Sequence, residues 1–343
     1  MAEVTTVLGQ VDASELGVVL AHEHLFIDLS CLWHKPRDPK RNYMIDARVE
    51  EIERSALSRD PYHCKDNLLL EDVELAVNEL SLFKNAGGGT LVDLSTRDIG
   101  PYPEKLAVVA RHSGVHVIAG TGFYTKRAHP DYVAKSSVRQ LAEQMINELK
   151  FGFGDSDIRA GVIGELGSSS PLHEDEMKVL RAAVLAHSET GAGINVHLAI
   201  FSQEGHRVLD ILEAEGMDLS RVALSHLDEF PDFNHHLSLA ERGCFVEFDC
   251  FGSEVHFDED ELREPTDSER IDALLALIRE GHANRLLLSQ DVCTKMQLRN
   301  YGGRGYDHIM KSVVPLLLEK ELDDLVLKQM LVHNPVDFLV GKS

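Results

Sequence analysis

The sequence predicts a (β/α)8 barrel, a parallel eight-stranded cylinder wrapped by helices, and three observations predict it. Short runs rich in Val, Ile and Leu recur eight times along 343 residues. Amphipathic stretches with a period of about 3.6 lie between most of them. Glycines repeatedly close those stretches just before the next apolar run. Strands buried on both faces read as continuous apolar runs, and their alternation with helices is the repeat of a parallel barrel. An open doubly wound sheet uses the same units but normally carries a Gly-rich phosphate loop after its first strand. None follows Leu25.

Taken in order, the strands are expected at Val18–Leu25, Gly89–Ser95, His116–Tyr124, Ala160–Gly167, Ile194–Leu198, Val222–Leu227, Cys244–Phe251 and Arg285–Gln290. Helical periodicity marks Asp72–Asn85, Glu104–His112, Glu174–Glu189 and Asp267–Glu280. Gly87, Gly114, Gly191, Gly216, Gly243 and Gly281 stand where a left-handed cap would turn each helix back to the sheet. Three βα connections are long: 26–70, which holds the only tryptophan, Trp33; the acidic 252–266; and 292–306, with Tyr-Gly-Gly-Arg-Gly-Tyr. In a barrel such loops rise from the C-terminal rim, where active sites lie. With no interdomain linker and no further repeat, residues 1–343 read as one domain.

Charge and composition exclude several functions. A formal net charge of −23 repels phosphate backbones and anionic lipid, so neither nucleic acid nor a membrane surface is an expected partner. No apolar run approaches the roughly 20 residues of a membrane span. The opening Met-Ala-Glu-Val-Thr-Thr lacks the basic-then-apolar pattern of a secretory signal. Five scattered cysteines, Cys31, Cys64, Cys244, Cys250 and Cys293, form no Cys-x-x-Cys pair and suit reduced thiols. A cytoplasmic protein with a small-molecule partner is expected.

The chemistry sits at the strand ends. His22 and His24 close the first strand one residue apart, and alternation along a strand aims both at one point. Glu165, His197, His226 and Asp291 end strands four, five, six and eight, so all six side chains should meet at the barrel mouth. Glu165 lies in Gly-Val-Ile-Gly-Glu-Leu-Gly, where nothing local neutralises a buried carboxylate. Imidazole and carboxylate donors suit Zn2+, with Mn2+, Co2+, Ni2+ or Fe2+ as alternatives. Six donors exceed what one catalytic ion with an open position takes, so two divalent ions sharing a carboxylate account for them better. His112, His187, His282, His235 and His236 fall on helices away from the rim and are expected at the surface.

These residues, in this order, resemble the phosphotriesterase family of the amidohydrolase superfamily, and most closely its phosphotriesterase-related and homology-protein branch. The likeness includes Gly87–Asp93, Ala119–Tyr124, Arg159–Glu165, Leu224–Asp228 and Tyr301–Ile309. The resemblance implies His22, His24 and Asp291 as ligands of a buried metal, His197 and His226 as ligands of an exposed one, and a homodimer. It implies a glutamate bridge at Glu165, where the hydrolytic phosphotriesterases and lactonases carry a carboxylated lysine. Cys250 replaces the strand-seven His or Arg of those enzymes, Glu229 falls where phosphotriesterases use a relay aspartate, and Tyr124 matches a lactonase tyrosine.

Two ions about 3.5–4 Å apart can hold a hydroxide at neutral pH, which predicts a hydrolase cleaving a carboxyl ester, lactone or N-acyl amide. Asp291 is placed to carry the proton to the leaving group, and Tyr124 to donate to the developing oxyanion. Glu229, Cys250, Arg299 and Arg304 are the expected substrate contacts. Lys295, Arg299 and Arg304 on loop eight hint at an anionic substrate. A phosphoester or phosphotriester hydrolase on the same metals is the alternative, followed by a binding protein without turnover.

Overall fold

The computed structural model describes residues 2–100 and 102–341. Eight parallel strands form one sheet in chain order: β1 (Val18–Glu23), β2 (Gly88–Asp93), β3 (His116–Thr121), β4 (Val162–Ser168), β5 (Ile194–Leu198), β6 (Val222–Leu224), β7 (Phe245–Phe248) and β8 (Leu286–Leu288). Apolar residues face each other across neighbouring strands, with Val92 opposite Ile118, Val196 opposite Leu224 and Val246 opposite Leu286. The result is the (β/α)8 barrel.

A carboxylate joins the last strand to the first. Glu23, fully buried at the end of β1, accepts from Ser289 Oγ at 2.8 Å and from the backbone N–H groups of Gln290 and Val292 at 2.8 and 2.7 Å. Burial pushes its pKa up to about 7, against the pull of those donors.

Strand alternation sorts the core into two layers. Val19, Val92, Ile118, Val162, Ala223, Phe245 and Leu287, one from each of seven strands, pack together inside the cylinder. Their neighbours in sequence, among them Leu20, Leu91, Val117, Ile163, Val246 and Leu288, pack outward against the helices. Those helices are α1 (Val73–Asn85), α2 (Pro103–Ser113), α3 (Val138–Lys150), α4 (Glu174–Thr190), α5 (Gly205–Ala214), α6 (Phe233–Glu241), α7 (Asp267–Arg279) and α8 (Ile309–Val313 continuing through Val314–Glu319). Asp72 caps α1 by accepting from Leu75 N at 3.0 Å, and Ser137 and Thr266 close reciprocal capping boxes on α3 and α7. Gly114 and Gly191 end α2 and α4 in the left-handed region, at φ +68° and +73°.

Two features depart from the sequence expectations. An antiparallel hairpin, Glu3–Thr6 with Gly9–Asp12, covers the cylinder's N-terminal end, and its Val4 joins the inner core. His236 is not at the surface: it is fully buried, its Nε2–H donating to Leu227 O at 2.8 Å and its ring edge-on to Phe248. It falls on the inward stripe of α6 with Leu239 and Ala240, a position that polarity alone misassigns.

The long loops have structure of their own. Residues 26–70 wind through short helical turns around a small core of Met44, Val49, Ile52, Leu57 and Cys64, to which loop 292–306 contributes Met296. Loop 252–266 carries the hairpin His256–Phe257 with Leu262–Arg263. Its acidity is answered by loop 26–70: Arg41 and Arg59 pair with Asp258 at 2.8 and 3.0 Å, and Arg37 with Asp260 at 2.8 Å. Among the described residues no helix is long and apolar enough to cross a membrane.

Candidate metal centre

The backbone ladders of β1, β3, β6, β7 and β8 stop earlier than their apolar runs, and functional side chains occupy the released residues. His24, Tyr124, His226, Asp249 and Asp291 all lie just beyond a strand. His226 and Asp291 take positive φ values, +60° and +46°. His and Asp enter that region more readily than most residues, yet the conformation costs on the order of 1 kcal/mol and needs support from its surroundings.

That support brings six side chains together. His24 Nε2 lies 3.3 Å from Glu165 Oε1 and 3.2 Å from Asp291 Oδ1. His22 Nε2 is 3.5 Å from Glu165 Oε2 and 3.7 Å from Asp291 Oδ1. Glu165 Oε2 also faces His197 Nδ1 at 3.0 Å and His226 Nε2 at 3.6 Å. Glu165 thus sits between His22 and His24 on one side and His197 and His226 on the other.

Hydrogen bonds behind the rings fix which nitrogens carry lone pairs. Ser95 Oγ donates to Phe26 O, so it accepts from His24 Nδ1 at 2.9 Å. Asp249 Oδ1 accepts from His226 Nδ1 at 3.0 Å and from His226 N at 2.9 Å, while His22 Nδ1 bonds Ser225 Oγ at 3.1 Å with Asp249 Oδ2 3.0 Å away. Three rings therefore turn unprotonated Nε2 atoms toward two carboxylates. Acceptor facing acceptor at 3.2–3.7 Å needs protons or cations between them. His22 Nε2 and Asp291 Oδ1 are buried without a hydrogen-bond partner, and both point into this centre. The donor set fits divalent cations of the zinc type.

With protein groups alone, protons must fill that role. Burial lowers the pKa of His24, but Asp291 and Glu165 outweigh it and hold it at about 9. Burial likewise acts against charging His22 and His226, and their carboxylate neighbours raise both well above the ordinary value. Asp249 moves the other way: burial would raise it, yet His226 and His22 hold it well below the usual carboxylate range.

Above the centre opens a cavity of about 500 Å³ whose lining includes all the sequence-predicted contacts. Tyr124 sets its hydroxyl 3.4 Å from His197 Nε2. Cys250 places Sγ 3.7 Å from His226 Nδ1, and burial pushes its thiol well above the ordinary value, so it stays protonated. Glu229 pairs with the buried Arg270 at 2.5 Å, yet burial and Glu264 raise its carboxyl well above the usual range. Arg299 is held by Asp307 at 2.9 Å, whereas Arg304 has no carboxylate within ion-pair distance among the described residues. Lys295 does not reach this cavity; it ties loop eight to loop 26–70 through Asp66 at 2.7 Å.

Two groups escape a sequence reading. Asp249 follows the same logic as Glu165, an acidic residue at a strand end, and that was its available signal. Arg54, from loop 26–70, lines the cavity with its Nη1 on Met296 O at 2.6 Å. Burial and the nearby Arg304 lower its pKa, so the two guanidinium groups share one wall.

A (β/α)8 barrel that gathers four imidazoles and two carboxylates beneath an open cavity defines a metal-dependent hydrolase. Residues 2–339 match the model of the phosphotriesterase family, and the chain belongs to that family. It is 36% identical to an N-acetyltaurine hydrolase of Danio rerio over 344 residues, covering 99% of this chain and 98% of the relative. A resiniferatoxin-binding protein from Rhodobacter sphaeroides superimposes with a TM-score of 0.96 at 38% identity, covering 98% of this chain and 94% of that one. The phosphotriesterase homology protein of Escherichia coli, solved with phosphate in its active site, gives 0.80 at 29% identity over 95% and 99% of the two chains.

Proposed function

We propose that this protein hydrolyses an N-acyl amide whose amine portion ends in a sulfonate or carboxylate. The observation that carries this reading is the placement of Arg54 and Arg304 on one cavity wall, neither with a carboxylate partner among the described residues, above a centre rich in carboxylates. In a chain of net charge −23, two unneutralised guanidinium groups facing a substrate cavity suit an anionic end. Similarity to N-acetyltaurine hydrolases supports the amide bond and the sulfonate.

His22, His24 and Asp291 would hold one cation, His197 and His226 the other, and Glu165 both; the nitrogen and oxygen donors favour Zn2+. When bound, such ions supply a Lewis acid for the scissile carbonyl and lower the pKa of water towards neutrality. Asp291 takes the proton of the attacking water and delivers it to the departing amine nitrogen. Tyr124 keeps its proton, because burial and Glu165 raise it well above the ordinary value, and donates to the carbonyl oxygen as charge develops there. Glu229, held by Arg270, lines the same cavity.

An assay panel tests this: N-acetyltaurine, an N-acetyl amino acid, N-acetylethylamine, a γ-lactone, an aryl ester and paraoxon. The anionic amides should lead in kcat/KM, and preference for the lactone or the neutral amide would reject the reading. Arg304→Ala should raise KM for N-acetyltaurine about 10–100-fold with kcat little changed, the worth of one or two charged hydrogen bonds. The phosphate in the Escherichia coli relative favours phosphoester hydrolysis as the second reading, which paraoxon in that panel and an added aryl phosphate would reveal. Composition supports a cytoplasmic location, and the family resemblance supports a homodimer of single-domain chains, checked by sedimentation.

A further inference from the structure

A second group of metal-type donors lies outside the hydrolytic centre, where two of the long rim loops meet. His34, Asp60 and His63 come from loop 26–70 and Glu259 from loop 252–266. His34 Nε2 is 3.0 Å from Asp60 Oδ2, His63 Nε2 is 3.3 Å from the same oxygen, and Glu259 Oε2 is 3.8 Å from His63 Nε2. Donor atoms of His34, Asp60 and His63 all lie within 4.8 Å of one another, and Glu259, 3.8 Å from His63 Nε2, would move inward to complete a tetrahedral set, whose neighbouring donors stand roughly 3.3–3.6 Å apart.

The protonation pattern points the same way. His34 sets Nδ1 3.3 Å from Leu32 O and Nε2 3.0 Å from Asp60 Oδ2, so a ring with one proton satisfies only one of these two oxygens. His63 is fully buried, and neither of its ring nitrogens has a hydrogen-bond partner. A buried imidazole with both nitrogens unused is costly, and its Nε2 lies near Asp60 and Glu259. Asp60 itself is fixed, its Oδ1 accepting from Tyr62 N at 3.0 Å. Glu259 Oε1 accepts from Arg37 N at 2.7 Å, and Oε2 stands between the Arg37 guanidinium at 3.7 Å and His63 Nε2 at 3.8 Å. His34 is 42% exposed on its side chain and provides the way in from solvent.

We infer that His34, Asp60, His63 and Glu259 form a third, structural metal site, taking a zinc-type divalent cation that clamps loop 252–266 onto loop 26–70. Two imidazoles and two carboxylates match Zn2+ and disfavour Mg2+, which prefers oxygen and keeps its waters. The clamp has a functional address. Tyr62, between Asp60 and His63, lines the hydrolytic cavity and stacks on Phe257 of the acidic loop at 6.0 Å between ring centres. A cation at this junction would fix the cavity wall without touching the reacting groups.

The test loads the full-length protein with Zn2+, removes unbound ion by gel filtration, and counts zinc by mass spectrometry. Zinc-edge anomalous diffraction then locates the ions. Three ions per chain are expected, with one anomalous peak between His34 and His63, and Mg2+ should give none there. His34→Ala, whose side chain is half-exposed and not part of a core, and Glu259→Gln should each bind one zinc fewer and lose that peak. Their unfolding temperature should also gain less from added zinc than that of the wild type. A wild-type map without density between His34 and His63 would overturn the inference, as would both variants keeping the full zinc count. Neither readout depends on hydrolysis, so it fails or stands apart from the substrate assignment.

Discussion

Asp249 illustrates how one side chain outside the donor set can determine whether that set works. Its Oδ1 bonds His226 Nδ1 and its Oδ2 lies 3.0 Å from His22 Nδ1, which Ser225 Oγ also meets, so its charge faces one ring from each side of Glu165. Asp249→Asn keeps the volume but offers an N–H to one ring, which must then flip its tautomer and turn its lone pair away from the centre. Metal affinity and kcat should each fall about 10–100-fold, with the far-UV circular dichroism unchanged. Unaltered zinc content and turnover would show that Ser225 and the backbone suffice. At this scale the identities of His22, His24, Glu165, His197, His226 and Asp291 were legible, because each ends an apolar run. Asp249 was legible in principle by the same rule, but Arg54 was not. Nothing in Glu53-Arg54-Ser55 distinguishes it from a solvated loop arginine until the loop folds over the mouth.

At the level of elements, helix ends and helix faces make separate demands. Gly191 ends α4 at φ +73°, and a Cβ added there would meet nothing within 4 Å. The cost of Gly191→Ala is therefore conformational, about 1 kcal/mol in urea unfolding, and Gly191→Asn should recover part of it. His236 on α6 supplies an acid-sensitive element. Burial holds its pKa at about 4, below the ordinary 6.5, so the neutral form belongs to the folded state. Its contribution is complete above pH 6.5 and is lost as pH falls through 4, a change of at most about 3 kcal/mol. His236→Gln, which keeps a donor for Leu227 O, should lose less stability than the wild type between pH 6.5 and 4. Identical pH slopes for the two proteins would refute the assignment. Helix and strand existence followed from period, but strand ends did not: apolar character continues through Leu25, Tyr124 and Leu227 after the ladder stops. Those extra residues are apolar because they are buried in the rim, not because they are paired.

For the whole molecule, the proposed metal centre would couple folding to metal binding. The six donors come from β1, β4, β5 and the segments following β1, β6 and β8, so cations bound there tie together strands distant in sequence. Ions that bind only the folded chain stabilise it by about 4 kcal/mol each at a free concentration about 1,000 times Kd. Exhaustive chelation should therefore lower the unfolding temperature, and added Zn2+ should restore both temperature and turnover. A chelated protein that unfolds at the holoenzyme's temperature would place those residues outside metal binding. Barrel closure through Glu23 works at the same scale, with one buried carboxylate receiving the donors that β8 presents to β1.

By itself, the sequence determined the βα repeat, the barrel and the six convergent donors, because hydrophobic period and strand-end position are local properties of a chain. Tertiary structure alone decided which nitrogen each imidazole turns inward, which arginine faces the cavity, and that acidic loop 252–266 is held by Arg37, Arg41 and Arg59. It also brought His34, Asp60, His63 and Glu259 together. Those outcomes depend on contacts between segments as far as 242 residues apart, whose pairing is set by packing of irregular loops and leaves no periodic trace in the sequence.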